Sequence, residues 1–149
     1  MLSGLGALIA TLISKLIDSF VRHSQSVEAR RDDDLAEMIT TANLLAQLCE
    51  KFWTKSATEL GGDNQLLRSH IIAAQHLLTE INAELFTGQP KRECDVLLFR
   101  LFDAASGGNF DDPEREAEPG CLTKILIGRN ALLREARRSR RKLRRKLLS

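Results

Sequence analysis

The sequence predicts an all-α fold: an antiparallel bundle of about four helices, with an amphipathic N-terminal helix and a basic C-terminal helix. Three observations lead there. Apolar residues recur at helical spacing along most of the 149 residues. No run of β-branched residues alternates between hairpin turns, and tyrosine is absent. The breaks are short Gly, Asn and Asp clusters between long periodic stretches, which favours antiparallel neighbours.

A first helix is expected from Leu2 to His23. At 100° per residue, Leu2, Leu5, Ile9, Leu12, Ile13, Leu16, Ile17 and Phe20 share a broad face. Ser3, Gly4, Ala7, Thr11 and Ser14 make the opposite strip, uncharged until Lys15. This helix either covers a bundle or contacts a membrane through Leu5, Ile9, Leu12, Ile13, Leu16 and Phe20. In the second case it lies in the interface or crosses obliquely with Lys15 snorkelling. Assembly through the small-residue strip would then permeabilise the bilayer, and Arg22, Arg30 and Arg31 would keep the C-terminal domain in the cytosol. No charge-free apolar stretch reaches the length of an ordinary transmembrane helix. A signal peptide is not expected, because no basic region precedes the apolar one and no cleavage site is convincing. Leu2 excludes N-myristoylation, and the C-terminus is not a prenylation box.

Ser24-Gln-Ser26 offers N-caps for a second helix from Ser26 to Leu60. Its seam is Leu35, Met38, Ala42, Leu45, Cys49 and Phe52, widened by Ile39, Ala46 and Trp53. Trp53 suits the core, or an interface if the bundle abuts a membrane. Gly61-Gly62-Asp63-Asn64 stops it. A third helix, from Asp63 or Asn64 to Phe86, has the seam Leu67, Ile71, Ala74, Leu78, Ile81 and Leu85. A fourth, from Lys91 to Ala105, contains Val96-Leu-Leu-Phe-Arg-Leu-Phe102 and should be the most buried element. An acidic loop over 106–119 leads to a fifth helix from near Pro119, with Leu122, Ile125, Leu126, Leu132, Leu133, Ala136, Leu143 and Leu147 as its apolar positions. Gly128 within it allows close helix approach or marks a bend. The organisation expected is 1–23 amphipathic helix, 24–119 acidic bundle and 120–149 Arg-rich helix.

Charge is the sharpest functional signal. Residues 1–119 carry 11 Lys/Arg against 19 Asp/Glu, a net of −8, whereas residues 120–149 carry 11 against one, a net of +10. Arg134, Arg137, Arg138, Arg140, Arg141, Lys142, Arg144, Arg145 and Lys146 place nine cations in 13 positions. They spread over more than one helix face; isolated from counter-ions they should fray or disorder the last two turns, and a phosphate-bearing partner should order them. Three readings are open: a polyanion-binding surface for DNA, RNA or an anionic membrane, pairing with acids of this chain or another subunit, and a solvated tail. The acids available include Asp111, Asp112, Glu114, Glu116, Glu118 and Asp32-Asp33-Asp34, the last three expected as a solvated first turn. No aromatic interleaves the cations for base stacking.

Catalysis finds little support. His70 and His76 are six apart, which is not metal-pair spacing, and no C-x-x-C exists. Gly61-Gly62 and Gly107-Gly108 come after helices, the reverse of a phosphate loop. No nucleophile, base and orienting group assemble. The expectation is no catalytic residue, no metal, no cofactor and no small-molecule substrate. Cys49, Cys94 and Cys121 read as free thiols of a reducing cytoplasm. The leading expectation is a non-enzymatic, self-assembling protein at the cytoplasmic face of a membrane or anchored in it. The alternative is a soluble oligomeric adaptor binding nucleic acid or an acidic protein through its Arg-rich helix.

Overall fold

The computed structural model describes residues 10–11 and 27–149. The membrane-contact residues expected from the sequence, Leu5, Ile9, Leu12, Ile13, Leu16 and Phe20, lie outside the described residues. Among those described, every regular element is helical. They are α1 (Val27–Trp53), α2 (Ala57–Leu60), α3 (Asp63–Leu85), α4 (Gly88–Ser106), a short 3-10 turn (Gly108–Asp111) and α5 (Gly120–Leu148). The chain divides into two compact units, Met1–Arg31 and Asp32–Ser149. In the first, Arg31 pairs with Glu28 at 3.3 Å, one turn apart at the start of α1. The second is a four-helix bundle.

The order of contacts gives the bundle its direction. Gln75 meets Ser106 and Asn82 meets Asp95, so α3 and α4 run antiparallel. Asp32 meets Arg140 and Trp53 meets Glu118, so α1 and α5 run antiparallel. Trp53 donates to Ala105 at the far end of α4, which makes α1 and α4 parallel. The path is up, down, up, down.

The two predicted seams form the core. Met38, Ala42, Leu45, Cys49 and Phe52 of α1 are buried, with Leu35 at the seam's start only half-buried, and Leu67, Ile71, Ala74, Leu78, Ile81 and Leu85 of α3 are buried too. From α5, Ile125, Leu132, Leu133 and Ala136 close it. At roughly 2 kcal/mol for each large aliphatic side chain removed from water, this stripe is the main source of stability. Trp53 belongs to the core: it is 1% exposed and its indole N–H donates to the Ala105 carbonyl at 3.0 Å. Gly128 faces α4, where a Cβ would make ordinary van der Waals contact at 3.4 Å with Cα and Cδ1 of Leu101.

Two elements depart from expectation. The second predicted helix does not continue to Leu60; it ends at Trp53, and a separate turn of helix occupies Ala57–Leu60. The break has a local cause and a distant one. The Ser56 hydroxyl accepts from the Glu59 N–H at 3.1 Å and caps a new helix. The 106–119 segment then takes the backbone released there: Ala57 N–H donates to the Arg115 carbonyl at 2.9 Å, and Glu118 N–H to the Trp53 carbonyl at 2.8 Å. Gly61, at φ +55°, closes α2 in the left-handed region.

The fourth helix is not the most buried element. Cys94, Leu98, Leu101 and Ala105 face inward, but Val96 is 52% and Phe99 72% exposed. An all-round apolar stretch signals burial only when neighbours cover every face. Here α3 and α5 cover the inner side of α4 and leave the outer side open. The helix starts at Gly88, earlier than expected, because Pro90 in a first turn removes an N–H that has no intrahelical partner anyway.

Candidate polyanion-binding site

The C-terminal cations sit on a continuous helix. α5 runs to Leu148 and is helical through its last two turns. Three effects oppose the repulsion. Arginine and lysine are good helix formers, cations near a helix C-terminus interact favourably with its dipole, and a contact from α1 pins the middle of the run.

That contact is Arg140. Its side chain is 4% exposed, and both Nε and Nη2 reach Oδ1 of Asp32 at 3.0 Å. Arg144 approaches the other oxygen of Asp32 at 4.0 Å. Asp32, expected as part of a solvated first turn, is thus a partner of the basic helix. Arg140 turns inward beside Ala136 and Ser139, and a ligand on the outer surface does not reach it.

The other eight cations, Arg134, Arg137, Arg138, Arg141, Lys142, Arg144, Arg145 and Lys146, are exposed. With 100° between successive residues, Arg134, Arg137, Arg141 and Arg145 fall within an arc of roughly 80° on the exposed side, and Arg138 lies about 20° beyond Arg145. They form a crest. The flanks carry acids. Glu135, 16% exposed, pairs with Arg138 at 3.7 Å and accepts from Ser139 at 3.1 Å. Glu93 lies close enough to have its carboxyl held below the ordinary glutamate range, first by hydrogen bonds with Gln89 and Glu135, then by the charges of Lys142 and Arg138. On the opposite flank Asp32 faces Arg144. Among the described residues no acid pairs with the four crest arginines, so their field points to solvent.

The acidic loop does not neutralise this helix. Asp111 pairs with Arg68 on α3. Glu118 accepts from Asn109 at 2.8 Å and from the Cys121 thiol at 3.6 Å. The loop is a structural plug, a role its composition conceals. Phe110 packs 4.9 Å from Phe52, and Arg115 is 1% exposed. The Arg115 guanidinium stacks 3.8 Å above Phe52 and donates to the Lys55 carbonyl at 2.8 Å and to Asn64 Oδ1 at 3.1 Å. Burial pushes its affinity for the proton down, and the charge of Glu118 opposes that shift. Arginine keeps its proton in such sites. The sequence carries no signal of this role, since Arg115 lies 62 residues beyond Trp53 in an otherwise acidic loop.

A shallow groove of about 560 Å³ runs between α4 and α5, lined by Arg100, Asp103, Asn109, Glu118, Lys124 and Ile127 among others. Its charges alternate in sign and do not converge on a point. His70 and His76 stay on α3, and among the described residues no group of three or more His, Cys, Asp or Glu could hold a metal. The three cysteines are free thiols. Burial raises the Cys94 thiol to about 12 and moves Cys49 up further, while Cys121 rises through partial burial and then the charge of Glu118. None has the lowered value of a nucleophilic thiolate.

No helix among the described residues is long and apolar enough to cross a membrane. Comparison with protein-family models, curated proteins and solved structures gives no match.

Proposed function

We propose that this protein is a non-enzymatic helical scaffold that binds a phosphate-bearing polyanion through the crest of α5. The carrying observation is the row Arg134, Arg137, Arg141 and Arg145, exposed and without an acidic partner among the described residues. Charge opposition between the −8 and +10 parts of the chain favours self-association, with the crest of one copy against the acidic surface of another. A reducing cytoplasmic setting suits three free thiols. The test is binding to immobilised heparin and to a mixed-sequence DNA duplex. Reversing the crest (R134E, R137E, R141E, R145E) should lower affinity at least tenfold while helical content stays at the parent level. Arg140 is left intact, since reversing it would set two carboxylates against each other at Asp32. Unchanged binding, or no binding of the parent to either probe, would sink the proposal.

A second reading, membrane association, rests on the apolar face of residues 2–20 and its uncharged opposite strip. On this reading Leu5, Ile9, Leu12, Ile13, Leu16 and Phe20 bury in lipid. Deleting residues 1–23 should then move the protein from the membrane fraction to the soluble one. An unchanged distribution would remove the reading.

A further inference from the structure

The crest consists of arginine alone, on one uninterrupted helix. The four residues succeed one another at three, four and four positions, which places them about 4.5, 6 and 6 Å apart along the axis, over roughly 16 Å in all. Each guanidinium is a planar fork that meets two oxygens of a phosphate; an ammonium meets it as a point charge. A lipid surface attracts basic residues through its mean potential, so it responds to the number of charges and little to their kind. Both lysines of the run, Lys142 and Lys146, lie off the crest. The helix is held from behind, with Ile125, Leu132, Leu133 and Ala136 in the core and Arg140 clamped to Asp32. A preordered row loses least freedom on binding when its ligand is equally ordered. α5 contains no aromatic residue, so it has no platform for unstacked bases. Its flanks are bordered by Asp32 on one side and by Glu93 and Glu135 on the other. Among the described residues the four crest arginines have no acidic partner, so a row of phosphates can lie along them.

From these features, and resting on the polyanion-binding reading above, we infer that the crest of α5 is a fork-type reader of the phosphate backbone of double-helical nucleic acid, indifferent to base sequence. Contacts to phosphate position a protein without specifying sequence.

The experiment compares the parent with the charge-preserving variant R134K, R137K, R141K, R145K. The probes are two 20-base-pair DNA duplexes of unrelated sequence, a single strand of the same length, and vesicles of phosphatidylserine and phosphatidylcholine. The expected result has three parts. The parent binds both duplexes within twofold of each other and more tightly than the single strand. The lysine variant loses at least fivefold on the duplexes. Its partition onto vesicles stays within twofold of the parent. Equal duplex binding by the lysine variant would overturn the inference, because the crest would then read charge alone. So would a preference for single strands, or vesicle binding in place of duplex binding. If heparin binding still depends on the crest while duplex binding does not, the polyanion reading stands and this inference fails. If no polyanion is bound, both fail.

Discussion

Replacing Arg115 by alanine should destabilise the bundle by about 3 kcal/mol, although a sequence reading places it in an acidic surface loop. The magnitude comes from its contacts. Two charged-donor hydrogen bonds, to the Lys55 carbonyl at 2.8 Å and Asn64 Oδ1 at 3.1 Å, are lost. Such bonds contribute about 1.5–3 kcal/mol each. The stack on Phe52 at 3.8 Å, supported by Trp53 at 5.3 Å, adds about 1 kcal/mol. Against this, Nε is buried without a partner, and ending that desolvation returns part of the loss. Water entering the vacated site returns more, and about 3 kcal/mol remains. In urea, at a slope of about 2 kcal/mol/M, the midpoint should fall by about 1.5 M with the slope unchanged. Arg115→Lys keeps the charge and loses the fork and the stack, so it should fall between parent and alanine. An alanine variant whose midpoint lies within about 0.3 M of the parent would refute the plug as a stabilising element.

Other outcomes come from the same packing. Gly128→Leu should cost about 1–3 kcal/mol in urea denaturation, because the side chain must displace Leu101, whose Cα lies 3.4 Å from the position of a Cβ. Gly128→Ala should be neutral or stabilising by up to about 1 kcal/mol, since its Cβ meets Leu101 at an ordinary van der Waals distance and helix propensity favours alanine. Phe99→Ser should change stability by less than about 0.5 kcal/mol, because this side chain is already 72% exposed. The thiols predict an alkaline loss of stability. Cys94 keeps its proton to about 12, whereas the unfolded thiol loses it near 8.5, so its contribution is complete below that lower value and disappears as pH rises toward the folded one. Between pH 9 and 10 the parent should lose about 1 kcal/mol more than Cys94→Ala; equal losses would contradict the buried, protonated thiol.

The parts of the fold legible in the sequence were those governed by periodicity. The seams of α1 and α3 lie where 3-4 spacing put them, since any partner surface serves an apolar stripe. The end of α1 was not legible, because it depends on backbone groups of Arg115 and Glu118, about 60 residues away. The exposure of Val96 and Phe99 was hidden for a related reason: composition gives the polarity of a face, not whether another helix covers it. The basic cluster was visible as a count. Its sorting into one inward arginine, two flanks bordered by acids and a bare crest required Asp32, Glu93 and Glu135 to be placed in space.

The central claim is that the exposed cations of α5 meet phosphates, and the salt dependence of duplex binding measures this most directly. Each phosphate neutralised contributes about −0.9 to the slope of log K against log salt. Four crest arginines alone give about −4, and all eight exposed cations about −7. A parent slope between these values, falling toward zero in the crest-reversal variant, is the result expected. A parent slope shallower than about −1, or the same slope in both proteins, would contradict it.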